Sequence, residues 1–315
     1  MTRLQLPIVI TPTRAELGAR CHRRHFLSDQ LGRARYSSPS LDFGTVVHAG
    51  VGAHWLFATG RDKKDPKDVL KAEWDRLNIQ TPKLSLAMAN AMLDHYAANA
   101  QIAGPFTSQG NFQLVDVEQR FEIPIRDCKL SFQCDRIAYD KEQNWLVVTD
   151  TKTAGRLDTK WDRQWETSVQ MKLYRAGAKQ VFAFDSPARI DIVVEGLLKD
   201  IPSEIRYYVC PEWSDGLLAE AAHNAYTIAK LDEDIIQQGS DEVNLSNDKG
   251  EKEWSKLTPN IQKIEELAVR FTPVNYMDCY SYGIECPFRR LCVADVEHRV
   301  PILHSEYFEI KEESY

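Results

Sequence analysis

Hydrophobic positions in the first third of the chain recur at helical spacing, whereas those in the middle third alternate as in strands. A helix over 11–34 opens at Thr11 or Thr13, where a hydroxyl and Pro12 favour initiation. Asp42-Phe43-Gly44-Thr45 leads into an apolar helix that runs to about Thr59 and carries His48 and His54. A charged linker, Arg61 to Asp68, precedes two helical stretches, the second over Leu84–Ala100, and Gly104-Pro105 closes the section. The pattern then changes. Phe112–Glu118, Phe121–Ile125, Leu130–Ala138 and Trp145–Lys152 are short, alternating or β-branched, and separated by polar turn groups. Trp161–Phe184 reads as a helix, Ile190–Leu198 and Glu204–Cys210 as strands, and Asp215–Gln238 as a long amphipathic helix. Gly239 to Glu253 reads as a polar, acidic loop. The order helices, antiparallel strands, helix, strands, helix, tail predicts an α/β domain with helical additions.

Composition changes this picture little. The 315 residues are 43% hydrophobic and 27% charged, ordinary for a globular protein with a large core. No apolar run approaches the ~18 residues of a spanning helix, and the N-terminus lacks a signal-peptide core. The expectation is a cytoplasmic protein of a bacterium or a phage-infected cell, without a membrane partner. A formal charge of −7 is unsuited to indiscriminate nucleic-acid coating. One segment is locally basic: Arg14, Arg20, Arg23, Arg24, Arg33 and Arg35 are opposed only by Glu16 and Asp29. In a reducing compartment the seven cysteines argue against a disulfide framework. Cys128, Cys134 and Cys210 fall in or beside strands and read as buried small apolar residues.

Candidate chemistry concentrates at one strand end. Val147-Val148-Thr149-Asp150-Thr151-Lys152 is an apolar run closing on an acid, one spacer and a lysine, and residues two apart on a strand share a face. A hairpin over Asp140–Asn144 brings Asp135 opposite Thr149 or Asp150, and only some registers put both acids on one face. Asp135 and Asp150 are natural oxygen ligands for Mg²⁺ or Mn²⁺, with the Thr151 carbonyl in reach. Lys152 would then orient the nucleophile and offset developing charge. A cross-strand salt bridge is the plainer alternative. His48 can join two carboxylates as a ligand and would incline such a site toward Mn²⁺. Gln170 and Tyr174, four apart on the next helix, share a face and could bind the substrate backbone.

Taken in order, these pieces resemble the PD-(D/E)XK nuclease superfamily and, within it, the RecB-like branch. Its pattern of Gly-Thr-x-x-His, an Asp, Asp-x-Lys and Gln-x-x-x-Tyr is matched by Gly44-Thr45-Val46-Val47-His48, Asp135, Asp150-Thr151-Lys152 and Gln170-Met171-Lys172-Leu173-Tyr174. The usual glycine before Asp135 is replaced by Ser131-Phe132-Gln133. The resemblance implies a restriction-endonuclease-like mixed sheet core flanked by helices. Around it would lie an N-terminal helical insertion and a C-terminal cysteine-rich segment. It further implies that His48, Asp135 and Asp150 bind metal, that Lys152 serves catalysis, and that Gln170 and Tyr174 help place DNA. Glu118 matches an acidic position often seen in this branch.

Cys279, Cys286 and Cys292 crowd into fourteen residues, and with Cys21 as the fourth ligand they suit a [4Fe–4S] cluster or, as the alternative, Zn²⁺. His22 or His25 could replace a cysteine in a zinc site. Iron–sulfur members of the resembled branch, among them CRISPR-adaptation exonucleases and the AddB subunit, place one cysteine before the core and three after it. The C-x6-C spacing is wider than usual there.

The reading is one nuclease domain over 1–315, with a helical part at 11–104, a core at 110–238 and a segment at 254–315 packing back on Cys21. Its expected activity is metal-dependent DNA hydrolysis by an exonuclease or end-processing enzyme acting on single strands or free ends. Phe26 and Tyr36 are candidates for stacking on bases, and recombination or CRISPR-adaptation proteins are candidate partners. The competing readings are a nuclease-fold DNA-binding or complex-organising subunit with little catalysis, and a zinc-stapled protein that is no nuclease.

Overall fold

The computed structural model describes residues 9–31, 33–34, 39–182, 187–246, 252–271, 286, 288, 292, 299 and 309–310. In chain order these form β1 Val9–Ile10, α1 Pro12–Arg20, α2 His22–His25, β2 Arg33–Ala34, α3 Pro39–Ala58, α4 Pro66–Leu77 and α5 Leu86–Asn99. Next come β3 Gln113–Ile125, β4 Cys128–Asp140, β5 Trp145–Ala154, α6 Thr159–Glu166, α7 Val169–Val181, β6 Arg189–Leu198 and β7 Ile205–Val209. The chain continues through α8 Asp215–Gln238, β8 Ser240–Ser246, β9 Lys252–Pro259, α9 Ile261–Phe271 and β10 Glu309–Ile310. Among the described residues no helix is long and apolar enough to cross a membrane.

The chain divides into two compact units, one of residues 37–123 and 131–221, the other of 1–36, 124–130 and 222–315. In the first, β4, β5, β6 and β7 lie side by side in a mixed sheet, with β3 against β4. The pairs β4–β5 and β6–β7 are antiparallel, while β5–β6 is parallel and needs the crossover that α6 and α7 supply. Each crossover helix has its own cap. Asp158 accepts the Lys160 and Trp161 N–H groups, and Ser168 accepts that of Met171. That second cap divides the single helix expected over Trp161–Phe184. The two strands expected over Phe112–Ile125 are one, with Glu118 midway in a left-handed backbone conformation (φ 53°). Phe43, Val46, Val47 and Val51 of α3 pack with Leu70 of α4 and Met92, Leu93 and Tyr96 of α5. Burial of each such side chain is worth about 1.5–3 kcal/mol.

In the second unit β1 runs parallel to the first residues of β4, with Ile10 opposite Leu130. Thr11 caps α1 by accepting from Arg14 N–H at 3.3 Å. The helix expected to reach residue 34 breaks at Cys21, whose backbone is extended, and resumes as α2 and a π-helical segment, Phe26–Gln30. Three donors from this stretch converge on one fully buried carboxylate of α8. His22 Nε2, His25 Nε2 and Gln30 Nε2 lie 2.7, 2.8 and 2.9 Å from Asp232. Phe26 is fully buried, which withdraws it from stacking on bases; Tyr36 lies outside the described residues. The stretch expected as a polar loop, Gly239–Glu253, instead holds β8, which pairs antiparallel with β9, and its polar composition concealed that strand character.

Candidate active site

A helix stripe and the neighbouring strands β3, β4 and β5 build the site. Gly44, His48 and Gly52 recur every four residues along α3 and so share one face. A Cβ on Gly44 would lie 2.8 Å from Thr153 Oγ1, and one on Gly52 would lie 3.3 Å from Glu118 Cγ. Both positions therefore favour glycine because α3 approaches β5 and β3 closely there. Thr45 of the Gly-Thr-x-x-His pattern bonds back to the Leu41 carbonyl and is exposed.

The β4–β5 ladder runs from Asp140–Trp145 to Arg136–Thr149 and ends just before Asp135, which turns its carboxylate toward β5. Asp150 and Lys152, two apart on β5, share the front of the sheet, and Asp135 joins them through that contact with β5. His48 Nδ1 lies 3.5 Å from Asp135 Oδ2, and that same oxygen accepts the Thr151 N–H at 2.6 Å. His48, Glu118 and Asp135 each offer a ligand atom within 4.8 Å of the others. Asp150 is not in that trio; its carboxylate holds the Lys152 ammonium at 2.8 Å. Gln133 Nε2 donates to Glu118 at 2.5 Å. The left-handed backbone at Glu118 re-aims its side chain, a strain of the kind found at ligand sites.

The electrostatics are those of a crowded anionic cluster. Desolvation, then Asp135 and Asp150, push Glu118 up to about 7, with Gln133 and Lys152 opposing. Burial raises Asp135 as well; His48 opposes this and Asp150 adds to it. Burial works against the Lys152 ammonium, but Asp150, Asp135 and Glu118 outweigh it and hold its pKa above the ordinary value. A divalent cation is the natural relief for such a set, and the imidazole and carboxylates present are suitable donors.

Gln170 donates to Tyr174 Oη at 3.0 Å, so the amide and phenol engage each other on α7. Burial raises the Tyr174 pKa well above normal, and the charges of Asp150 and Asp135 add to this. His54 packs edge-on against Trp55 and Tyr96, a core histidine. At the end of β5, Lys199 donates its N–H to the Ala154 carbonyl at 2.8 Å, and its ammonium lies 2.5 Å from Ser40 Oγ. Burial lowers its pKa. Among the described residues Lys199 is ion-paired with no carboxylate, whereas the exposed Arg156 helps hold the Asp158 carboxyl below its ordinary value.

Cys21, Cys286 and Cys292 are buried in the second unit, and Cys279 lies outside the described residues. Burial raises the Cys292 thiol pKa; Arg23 beside it opposes this, and Cys21 and Cys286 are near enough to add to it. Cys128, Cys134 and Cys210 are buried, as expected.

A mixed sheet whose adjacent strands carry an acid and an acid-x-lysine, with a histidine supplied from a helix, defines a nuclease class. Residues 9–293 match the PD-(D/E)XK nuclease superfamily, and the chain belongs to it. A candidate exonuclease from Eubacterium rectale, 14% identical, is similar over 72% of this chain and 82% of its own, with a TM-score of 0.47. The crystal structure of SSO0001, 15% identical, is similar over 59% and 74%, with a TM-score of 0.29. No curated protein sequence matches the chain significantly.

Proposed function

We propose that this nuclease is a divalent-metal-dependent deoxyribonuclease of the RecB-like branch, acting as an exonuclease or DNA-end-processing enzyme. The observation that carries this reading is the His48–Glu118–Asp135 group beside the Asp150–Lys152 pair. His48, Asp135 and Glu118 would hold Mg²⁺ or Mn²⁺, with Asp150 and the Thr151 carbonyl at its border. Such a cation supplies Lewis acidity toward the phosphate and eases deprotonation of water. Asp150 holds the Lys152 ammonium in place, and Lys152 orients the attacking water and offsets charge on the phosphate oxygens. Gln170 and Tyr174 position the DNA backbone beside Asp150. The decisive measurement is Mn²⁺- or Mg²⁺-supported degradation of DNA labelled separately at its 5′ and 3′ ends. Undiminished activity of Asp150→Ala would remove the mechanism, and release of internal fragments first would remove exonuclease action.

The reading extends to a structural [4Fe–4S] cluster held by Cys21, Cys279, Cys286 and Cys292. Burial of the three described cysteines and the closeness of Cys21 and Cys286 to Cys292 support it. The cluster would pin the segment after α1 to the C-terminal cysteines, coupling its binding to folding. Anaerobic purification is expected to give a brown protein with equal iron and acid-labile sulfide. Stoichiometric zinc without iron overturns the cluster.

A further inference from the structure

Behind the acids, on the opposite face of the sheet, lies a closed network built on one buried cation. Arg136 is 1% exposed and uses all five of its N–H donors. Nε donates to the Ile102 carbonyl at 2.9 Å; Nη1 donates to Tyr96 Oη at 2.6 Å and Glu195 Oε2 at 3.3 Å. Nη2 donates to the Gln101 carbonyl at 3.3 Å and Glu195 Oε1 at 3.0 Å. Glu195 also accepts from Tyr96 Oη at 2.8 Å and Thr151 Oγ1 at 3.1 Å. Trp55 Nε1 donates to Tyr96 Oη at 2.7 Å, and the guanidinium carbon lies 4.6 Å from the Trp55 ring centroid.

The placement of these anchors is more informative than their number. Arg136 follows Asp135 on β4. Thr151 separates Asp150 from Lys152 on β5, and Glu195 sits opposite Thr151 in the β5–β6 register. Successive side chains on a strand point to opposite faces, so each anchor is the back-face neighbour of a front-face group. Trp55 lies seven residues, two helical turns, beyond His48 on α3. This side of α3 packs on the Thr151–Thr153 face of the sheet, where Gly44 meets Thr153, so His48 reaches Asp135 from the face that carries the network. One set of directional bonds therefore joins the three elements, α3, β4 and β5, that supply His48, Asp135, Asp150 and Lys152.

We infer that Arg136, Glu195 and Tyr96 form a positioning network that sets the separation of His48 from the strand-borne acids. The inference rests on the metal-dependent reading above. A merely structural ion pair would affect stability and leave metal affinity in the folded state untouched. Groups that orient metal ligands through hydrogen bonds change that affinity when removed.

The test is Mn²⁺ titration of full-length protein, by calorimetry and electron paramagnetic resonance, at a temperature where circular dichroism shows each variant folded. Two variants preserve net charge, so a shift in affinity is not a simple field effect. The double substitution Arg136→Met with Glu195→Gln is expected to weaken Mn²⁺ binding about 10–100-fold. Tyr96→Phe, which removes one hydroxyl, is expected to weaken it about threefold. Wild-type affinity in folded Tyr96→Phe and in the double variant overturns the positioning role; if the double variant does not fold, Tyr96→Phe decides alone. If wild type binds no Mn²⁺, or Asp135→Asn binds as tightly as wild type, the metal reading fails and the inference with it.

Discussion

The two faces of one sheet handle charge in opposite ways. On the back, one guanidinium and one carboxylate, both almost fully buried, face each other with their hydrogen-bonding capacity filled by Tyr96, Thr151 and the carbonyls of Gln101 and Ile102. On the front, Glu118, Asp135 and Asp150 share one ammonium and one imidazole, and two of these carboxyls have raised pKa values. A balanced, closed network favours the structure as it stands. An anionic excess opposes it until a cation arrives. The difference suggests that the front face has the composition of a binding site and the back face that of its support.

The largest expected effect comes from breaking the front. Asp135→Asn should reduce Mn²⁺-supported DNA cleavage by about 10³-fold. It should also raise the melting temperature of the metal-free protein by about 2 °C, because one crowded carboxylate is gone. Calorimetric scans and end-labelled substrate measure both; a lower melting temperature would mean that the crowding is not a cost. The back face should respond in the other sense. Glu195→Gln alone leaves Arg136 buried without its counter-ion, a loss of about 3–5 kcal/mol of stability. Urea unfolding followed by tryptophan fluorescence reads it, and a change below about 1 kcal/mol would contradict a closed network.

The front face was legible in sequence and the back was not, for a physical reason. Asp135, Asp150 and Lys152 fall in apolar strands where acids make poor core, so their types and spacing carry a signal. The approach of Asp135 to β5 is a tertiary property, because the β4–β5 ladder ends at Arg136–Thr149 and the carboxylate then accepts the Thr151 N–H. Arg136 and Glu195 are 59 residues apart in sequence, and nothing local marks either as buried. Glu118 was visible as an acid but not as a left-handed residue, because positive φ at a non-glycine position is imposed by packing. The α8 boundaries were read correctly because its apolar stripe is long and periodic. The helix over 11–34 was not, because its break at Cys21 has no glycine or proline to announce it.

Acid should weaken the front face's hold on metal before it touches the back. Glu118 sits near 7 without metal, and a carboxyl must lose its proton to ligate. Lowering pH from 8 to 6 should therefore weaken Mn²⁺ binding by up to about tenfold, with proton uptake on metal release. The same raised pKa makes ionised Glu118 unfavourable to folding. Metal-free stability should rise as pH falls through 7 and level off near the ordinary glutamate pKa of about 4.3. Glu118→Gln should flatten both profiles, and unchanged profiles in that variant would assign the titration to another group.

The smallest effect concerns the cations at the end of β5. Arg136 is matched by Glu195, whereas Lys199 is ion-paired with no carboxylate among the described residues and the exposed Arg156 has the charge of Asp158 nearby. If a DNA strand reaches the front face over this edge, its phosphates supply further opposing charge. Lys199→Gln and Arg156→Gln should then each raise KM about threefold and reduce the slope of log affinity against log salt by about one. KM should carry the effect more than kcat, since a phosphate away from the reacting bond is held alike in ground and transition states. Stability should hold or rise in Lys199→Gln, because a partly buried ammonium without an ion-pair partner is lost. A salt slope equal to wild type in both variants would route the strand elsewhere. A marked loss of stability in Lys199→Gln would place Lys199 with Arg136, among the cations that hold the fold together.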